Sequence, residues 1–166
     1  MLKLSEKHKG FTIIEVLVVL AIAGLIMVVV FLAVPALQRT GRNNALNSDA
    51  RSVLAAVGNY RTNNGGTLPA AQAAAPPTSG VVTVGTTGNT ETARVGQGTV
   101  SVRIDDGSSP ITAGSATVGT MEVITGTNAV CNGTASGLSG TGSATNYVVL
   151  YVAEGGGGNI LKCIGA

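Results

Sequence analysis

Residues 11–37 read FTIIEVLVVLAIAGLIMVVVFLAVPAL, and this stretch decides the fold because it is long and apolar enough to span a membrane. Glu15 is its only ionisable side chain. About 20 apolar residues in a helix are sufficient to cross the hydrocarbon part of a bilayer. We therefore predict that residues 11–37 form a hydrophobic transmembrane helix.

The ten residues before this stretch, MLKLSEKHKG, contain three lysines against one glutamate. Such a basic flank is expected to stay on the cytoplasmic side of the membrane. A conventional secretory signal has an apolar core of about 7–15 residues followed by a small residue at the cleavage site. Here the apolar run is longer, and the candidate cleavage residue, Gly10, precedes it. Cleavage there would remove the charges and keep the apolar helix.

The net charge of the chain depends on this leader. The whole sequence has 10 basic and 8 acidic side chains, a formal charge of +2. Without the three lysines and one glutamate of residues 1–10, seven basic and seven acidic side chains remain. Non-specific binding to nucleic acid depends on clustered Lys and Arg, so the net charge does not support DNA binding.

The segment GFTIIEVLVVLAIAGLI, residues 10–26, resembles the class III signal of type IV prepilins and of the related pseudopilins. In that family a short basic leader ends in Gly, and Phe follows, with Glu four residues after the Phe. The resemblance is close over about residues 7–37. It implies that a prepilin peptidase cuts between Gly10 and Phe11 and methylates the new amino group of Phe11.

Glu15 has a physical role that agrees with the resemblance. An acidic side chain at depth in a bilayer is costly and is therefore rare without a partner. Cleavage would create the α-amino group of Phe11, which is spaced i, i+4 from Glu15 on one helix face. In the family, the matching glutamate neutralises the amino group of a neighbouring subunit during filament assembly. The alternative is that Glu15 only marks the interfacial end of a transmembrane helix.

Gly24 and Pro35 are predicted points of helix flexibility. Glycine lowers helix stability, and proline removes one intrahelical donor. In related filaments the segment between such a Gly and Pro loses helical structure on packing. Pro35 lies about a turn later than the usual proline, and a simple kinked helix is the alternative.

Residues 38–64 are predicted to continue as an amphipathic helix. Apolar side chains recur at spacings of 4, 3, 4 and 3 residues: Leu46, Ala50, Val53, Val57 and Tyr60. The run Asn63-Asn64-Gly65-Gly66 is a helix stop signal. A coiled coil is the alternative, but only two heptads are visible, so we favour packing on a sheet of the same chain.

Residues 65–80 form an Ala/Pro-rich connector, predicted as a surface loop, and residues 81–166 a β-rich head. Strand signals occur at residues 81–84, 99–104, 117–125, 147–152 and 160–164. In TVSVRI, alternation predicts that Val100, Val102 and Ile104 face the helix, while Ser101 and Arg103 face water.

The last two predicted strands flank the glycine run 155–158 and are expected to form a hairpin with a flexible tip. The fold class predicted is α+β, with the long N-terminal helix packed on an antiparallel sheet of about four strands. This architecture is also what the resemblance implies.

Cys131 and Cys163 are the only cysteines. Beyond the membrane, in an oxidising space, they are expected to form one disulfide that ties the last strand to residues 132–146. Closing a loop of about 33 residues is worth roughly 3–4 kcal/mol in the chain-entropy model. Two buried free thiols are the alternative.

No catalytic or metal-binding constellation is visible, so we predict neither enzyme activity nor a cofactor nor a metal. The sole histidine, His8, lies in the leader. Residues 105–109, DDGSS, lack the ligand pattern of a calcium loop and are predicted as a turn. The run GGGGN at 155–159 is not followed by the Lys-Ser/Thr of a phosphate loop, and Asn132-Gly133-Thr134 matches a glycosylation pattern that also arises by chance.

The resemblance implies a structural subunit, the major pilin of a type IV pilus that serves adhesion, twitching motility or both. Its precursor would be anchored in the cytoplasmic membrane and its polymer, a helical homopolymer, would be extracellular. The implied partners are prepilin peptidase, the pilus assembly machinery and a surface receptor of unknown identity. One alternative is a pseudopilin of a type II secretion or DNA-uptake system, and another is an uncleaved, membrane-anchored binding module.

Overall fold

The computed structural model describes residues 10–86, 89–96, 98–112, 114–132, 138 and 142–165. In this part of the chain, one long helix is followed by strands, which confirms the predicted α+β class. The elements are α1 (Ile13–Asn63), β1 (Gln72–Ala75), β2 (Val81–Val84), β3 (Glu91–Arg94), β4 (Ser101–Asp105), β5 (Thr120–Thr125), β6 (Tyr147–Glu154) and β7 (Asn159–Gly165). The chain divides into two compact units after Arg39. We call Gly10–Arg39 the anchor and Thr40–Gly165 the head.

The anchor is a helix whose apolar side chains are exposed along its whole length. Its most apolar 18-residue window has a mean hydropathy of 3.3, and none of that window is buried. By length and composition the helix is able to cross a membrane. It runs without interruption through Gly24 and Pro35.

The head contains the second part of α1, and its apolar stripe is buried. Leu46, Ala50, Val53 and Val57 are all inaccessible to solvent, as their helical spacing predicts, and Ala56 is buried with them.

The helix ends where the Asn-Asn-Gly-Gly signal predicts. The N–H of Asn64 donates to the carbonyl of Tyr60 at 2.9 Å, and the N–H of Gly66 donates to the carbonyl of Arg61 at 2.8 Å. Gly65 and Gly66 have φ angles of 64° and 89°, in the left-handed region that favours glycine.

The main sheet of the head has five strands in the order β1-β4-β5-β6-β7. It is mostly antiparallel, but β4 and β5 are parallel, with Ser101 opposite Thr120 and Asp105 opposite Ile124. The predicted antiparallel sheet of about four strands is confirmed for most of the sheet, which differs in having five strands and one parallel pair. A parallel pair needs a crossover connection of about a dozen residues or more, and residues 106–119 supply it.

Two strands were not predicted. The strand β1 lies inside residues 65–80, where a loop was expected, and pairs with β4. Its sequence, QAAA, has neither alternation nor β-branched residues, so its conformation comes from pairing with the edge of the sheet. The strand β3 pairs with β2 in a separate two-stranded sheet, in register from Val81 opposite Arg94 to Val84 opposite Glu91.

Both faces of the main sheet are covered. On one face, α1 and the β2–β3 sheet pack over side chains such as Met121, Val123 and Tyr151. On the other face, Ile124, Leu150 and Leu161 form a second apolar cluster with residues of the long connections. Strand β6 is therefore buried on both sides from Val148 to Ala153.

This second cluster explains why the alternation in TVSVRI predicted the environment of Arg103 incorrectly. Val102 and Ile104 are buried on the helix-side face, as predicted. Arg103 is only partly exposed, since it lies on the covered second face and contacts Glu122. Val100 precedes β4 and is 50% exposed, so its predicted contact with the helix is wrong.

The predicted hairpin at the end of the chain is confirmed. The strands β6 and β7 pair from Val148 opposite Gly165 to Glu154 opposite Asn159. The turn between them is closed by a bond from the N–H of Gly155 to the carbonyl of Gly158, at 2.7 Å.

Candidate functional site

The start of α1 is a capping box formed by Thr12 and Glu15. One carboxylate oxygen of Glu15, Oε2, accepts hydrogen bonds from the N–H and the hydroxyl of Thr12, both at 2.8 Å. The N–H of Glu15 donates back to Oγ1 of Thr12 at 3.4 Å. The sequence pattern Thr-x-x-Glu before an apolar run is the signal of such a box, and our sequence analysis did not use it.

The capping box leaves acceptor capacity on Glu15. A carboxylate has two oxygens and about four lone-pair positions, and Thr12 uses positions on Oε2 only. The side chains of Phe11 and Glu15 also line one shallow cleft of about 320 Å³ with Val16, Val19 and Leu20. A second cationic or hydrogen-bonding group could therefore reach the carboxylate. The assembly role of Phe11 and Glu15 stays a prediction.

The Gly10–Phe11 bond lies just before the helix. Gly10 is exposed and outside regular secondary structure, and Phe11 is 88% exposed. Such a peptide bond is accessible to a peptidase. The leader, residues 1–9, lies outside the described residues, and both cleavage at Gly10 and methylation of Phe11 stay predictions.

Gly24 and Pro35 are both helical in the single chain. A Cβ added at Gly24 would meet no atom within 4 Å, so packing inside this chain does not require glycine there. Pro35 lacks the N–H that would otherwise donate to the preceding turn. Local loss of helix between these two residues on packing stays a prediction.

The predicted pairing of the two cysteines is confirmed. Cys131 and Cys163 form a disulfide with their Cα atoms 5.7 Å apart. Cys163 lies on β7 opposite Leu150, and Cys131 forms an isolated bridge with Leu138. The disulfide therefore ties the last strand to the segment that follows β5.

A polar clamp holds α1 to the end of β6. The Nε and Nη2 atoms of Arg42 donate to the two carboxylate oxygens of Glu154 at 2.7 and 2.6 Å. The side-chain amide of Asn43 bonds to the backbone N–H and carbonyl of the same glutamate at 2.9 and 2.8 Å. Hydrogen bonding to Glu154 raises the pKa of Arg42. Sequence reasoning did not find this clamp because the partners are over a hundred residues apart.

A buried ion pair holds the crossover connection against the second face of the sheet. Glu122 is fully buried and pairs with Arg103, whose guanidinium also lies 3.4 Å from Asp105. The other oxygen of Glu122 accepts the N–H of Ile111 at 2.6 Å, and Arg103 donates to the carbonyl of Ser109. This arrangement is structural, since it satisfies a buried charge from several sides.

The described part of the head contains no cluster of three or more His, Cys, Asp or Glu that could hold a metal ion. The DDGSS segment is a turn, as predicted. The N–H of Gly107 donates to Asp105 at 3.1 Å and that of Ser108 to Asp106 at 2.8 Å. His8, Gly133 and Thr134 lie outside the described residues.

Residues 6–31 match the family description of the prokaryotic N-terminal methylation motif. This class III signal is characteristic of type IV pilins and pseudopilins, which are structural proteins. No curated protein and no solved structure matches the chain. The motif and the apolar helix fit a membrane-anchored precursor.

Proposed function

We propose that this chain, which carries the N-terminal methylation motif of type IV pilins and pseudopilins, is the major pilin of a type IV pilus. In this proposal prepilin peptidase cuts after Gly10 and methylates Phe11. The assembly machinery then polymerises the mature chain into a surface filament for adhesion, twitching motility or both. The observation that carries the proposal is the exposed apolar segment 11–37, in which Glu15 is the only ionisable side chain.

The exposed anchor helix supports polymerisation because its apolar surface needs a partner in every state. Large apolar side chains from Phe11 to Leu37 are between 39% and 88% exposed in the single chain. Removing such surface from water is favourable at about 25 cal/mol per Å². Lipid covers the helix in the precursor. In the filament, the same surface would be covered by the helices of neighbouring copies.

The position of Glu15 favours assembly into an ordered polymer over membrane anchoring alone. In the single chain its carboxylate caps the helix through Thr12, so it has hydrogen-bond partners while the helix lies in lipid. Cleavage would turn the N–H of Phe11 into an amine, which is a cation near neutral pH. Pairing that amine with Glu15 of a neighbour neutralises both charges inside an apolar filament core. It also sets the axial position of one copy relative to the next.

The disulfide supports display outside the cell, since such bonds persist in oxidising compartments. In the proposal, the head forms the outer surface of the filament and meets the receptor or substratum.

Electron microscopy of surface material sheared from cells tests this function. Wild-type cells should yield filaments made of this chain. Glu15→Val should insert into the membrane but yield no filaments, whereas the neighbouring exchange Ile14→Val should yield the normal amount. Normal filaments from Glu15→Val would contradict the assigned role. Filaments confined beneath the cell surface would instead identify a pseudopilin.

A further inference from the structure

A line of polar groups runs along the seam between α1 and the last two strands of the head. Nε of Arg51 donates to Oδ1 of Asn47 at 2.9 Å, and Nδ2 of Asn47 donates to the hydroxyl oxygen of Tyr151 at 2.7 Å. Because arginine only donates, its bond fixes which end of the Asn47 amide is the oxygen. The amide nitrogen therefore faces Tyr151, and the Tyr151 oxygen is the acceptor.

This arrangement leaves the hydroxyl proton of Tyr151 without an acceptor in the described part of the chain. Tyr151 is only 3% exposed. Buried polar groups are almost always hydrogen-bonded, and an unmet donor costs about 1–3 kcal/mol. Such a donor at the margin of the core is available to an acceptor that comes from outside the chain.

Lys162, a second cation besides Arg51, lies beside Tyr151 on the neighbouring strand. Lys162 on β7 is directly opposite Tyr151 on β6. Residues opposite each other project from the same face of a sheet, with Cβ atoms about 5 Å apart. Lys162 and Arg51 are both exposed, and neither has a carboxylate within 4.0 Å among the described residues. Two exposed cations and a hydroxyl donor therefore lie along this seam, and no carboxylate of the described residues pairs with either cation.

We propose that Arg51, Lys162 and Tyr151 form a binding site for a carboxylate, and that its occupant is Asp106 of a second copy of this chain. The inference rests on the proposed function, since it places the contact between neighbouring copies in the filament. A carboxylate is the group that matches a guanidinium, an ammonium and a hydroxyl donor together. A mature chain with equal numbers of basic and acidic side chains supplies such carboxylates itself.

Asp106 is an exposed acidic side chain of the described part of the head that is available for this contact. It is exposed, has no ion pair among the described residues, and accepts the N–H of Ser108 at Oδ1. Hydrogen bonds from Ser108, side chain first and backbone second, lower the pKa of Asp106 and keep it charged. Asp49, Glu91 and Glu154 are each held by other groups of the head.

The geometry of the sheet makes this contact intermolecular. Asp106 directly follows β4, whereas Lys162 lies on β7, and β5 and β6 lie between these strands. With neighbouring strands about 4.8 Å apart, the two strands are roughly 14 Å apart in one chain. Asp106 is also at the end of the sheet opposite the β6–β7 turn. Asp106 and Lys162 of one chain therefore lie too far apart to pair with each other.

A zero-length carbodiimide, which joins amines to carboxylates, tests the contact in sheared filaments. Lys162 is the only lysine after residue 9, so it is the only side-chain amine of a mature chain. Peptide mapping should find Lys162 joined to Asp106 of another copy. Lys162→Arg, which keeps the charge but removes the reactive amine, and Asp106→Asn should each abolish this product. Filaments without the product, or with Lys162 joined to a different carboxylate, overturn the inference.

A charge exchange measures what the contact contributes to assembly. Lys162→Asp should lower filament yield roughly twofold to fivefold, as expected for one partly exposed ion pair. Combining it with Asp106→Lys should restore the yield. Arg94→Asp is the matched control, since Arg94 is an exposed cation on β3 with no ion pair among the described residues, and its yield should not change.

The two proposals fail in different ways. Absence of filaments from wild-type cells contradicts the proposed function and this contact with it. Normal wild-type filaments whose yield is unchanged by Lys162→Asp contradict the contact alone.

Discussion

Replacing Arg103 by methionine tests the arrangement that holds the second face of the head together. Glu122 is fully buried, and Arg103, 29% exposed, is its only cationic partner among the described residues. Removing one partner of a buried ion pair typically costs about 3–5 kcal/mol, because the remaining charge is left without compensation. The N–H of Ile111 still donates to Glu122 in the variant, and Arg103 is partly solvated. We therefore expect a loss near the lower end, about 3 kcal/mol.

The matched control is Arg42→Met, the same exchange in a pair at the surface. Arg42 is 56% exposed and its ion pair with Glu154 is open to water. Exposed pairs contribute little, so this variant should lose much less stability than Arg103→Met. The difference between the two variants isolates the effect of burial.

Urea unfolding of the full chain in detergent, followed by tyrosine fluorescence, measures the free energy of unfolding of the head. The chain has no tryptophan, and all three tyrosines, Tyr60, Tyr147 and Tyr151, contact the apolar core of the head. Adding Glu122→Leu to Arg103→Met should recover at least about 1 kcal/mol, because the stranded charge is removed. Equal losses in Arg103→Met and Arg42→Met would refute the reasoning, as would a double variant less stable than Arg103→Met.

Three further predictions follow from single contacts. Reducing the Cys131–Cys163 disulfide, or replacing both cysteines by serine, should lower the stability of the head by roughly 3–4 kcal/mol in the same assay. Gly119→Ala should cost roughly 2–5 kcal/mol, because φ is +89° and a Cβ there would clash with the backbone oxygen of Gly98. Gly156→Ala, where a Cβ meets nothing within 4 Å, should change stability by less than about 0.5 kcal/mol. Thr12→Val removes the helix cap, and amide exchange in the first turn of α1 should become roughly fivefold faster, whereas an unchanged rate would exclude the capping role.

The elements that could be predicted from the sequence are those that depend on a local pattern of residues. The stripe from Leu46 to Val57, the stop at Asn63 and the hairpin around the glycine run all agree with the structure, because each depends on local periodicity or turn chemistry. The disulfide was predictable for a different reason: with two cysteines, only one pairing is possible.

What the sequence did not predict depends on contacts distant along the chain. Strand β1 is an alanine run that becomes a strand only by pairing with β4. Alternation predicted that Arg103 faces water because it places polar residues on the exposed face of a sheet. The residues that cover this face come from long connections with no periodicity, so the sequence pattern does not reveal them. The capping box at Thr12 is different, because the short local pattern Thr-x-x-Glu is enough to predict it.

The central claim is that this chain is cut after Gly10 and polymerises through the helix that follows. N-terminal sequencing and intact mass of the main band in sheared surface filaments test it most directly. The account predicts a chain that begins at methylated Phe11, lacks residues 1–10 and retains its disulfide. Full-length chains found only in the membrane, with no filaments, would contradict it.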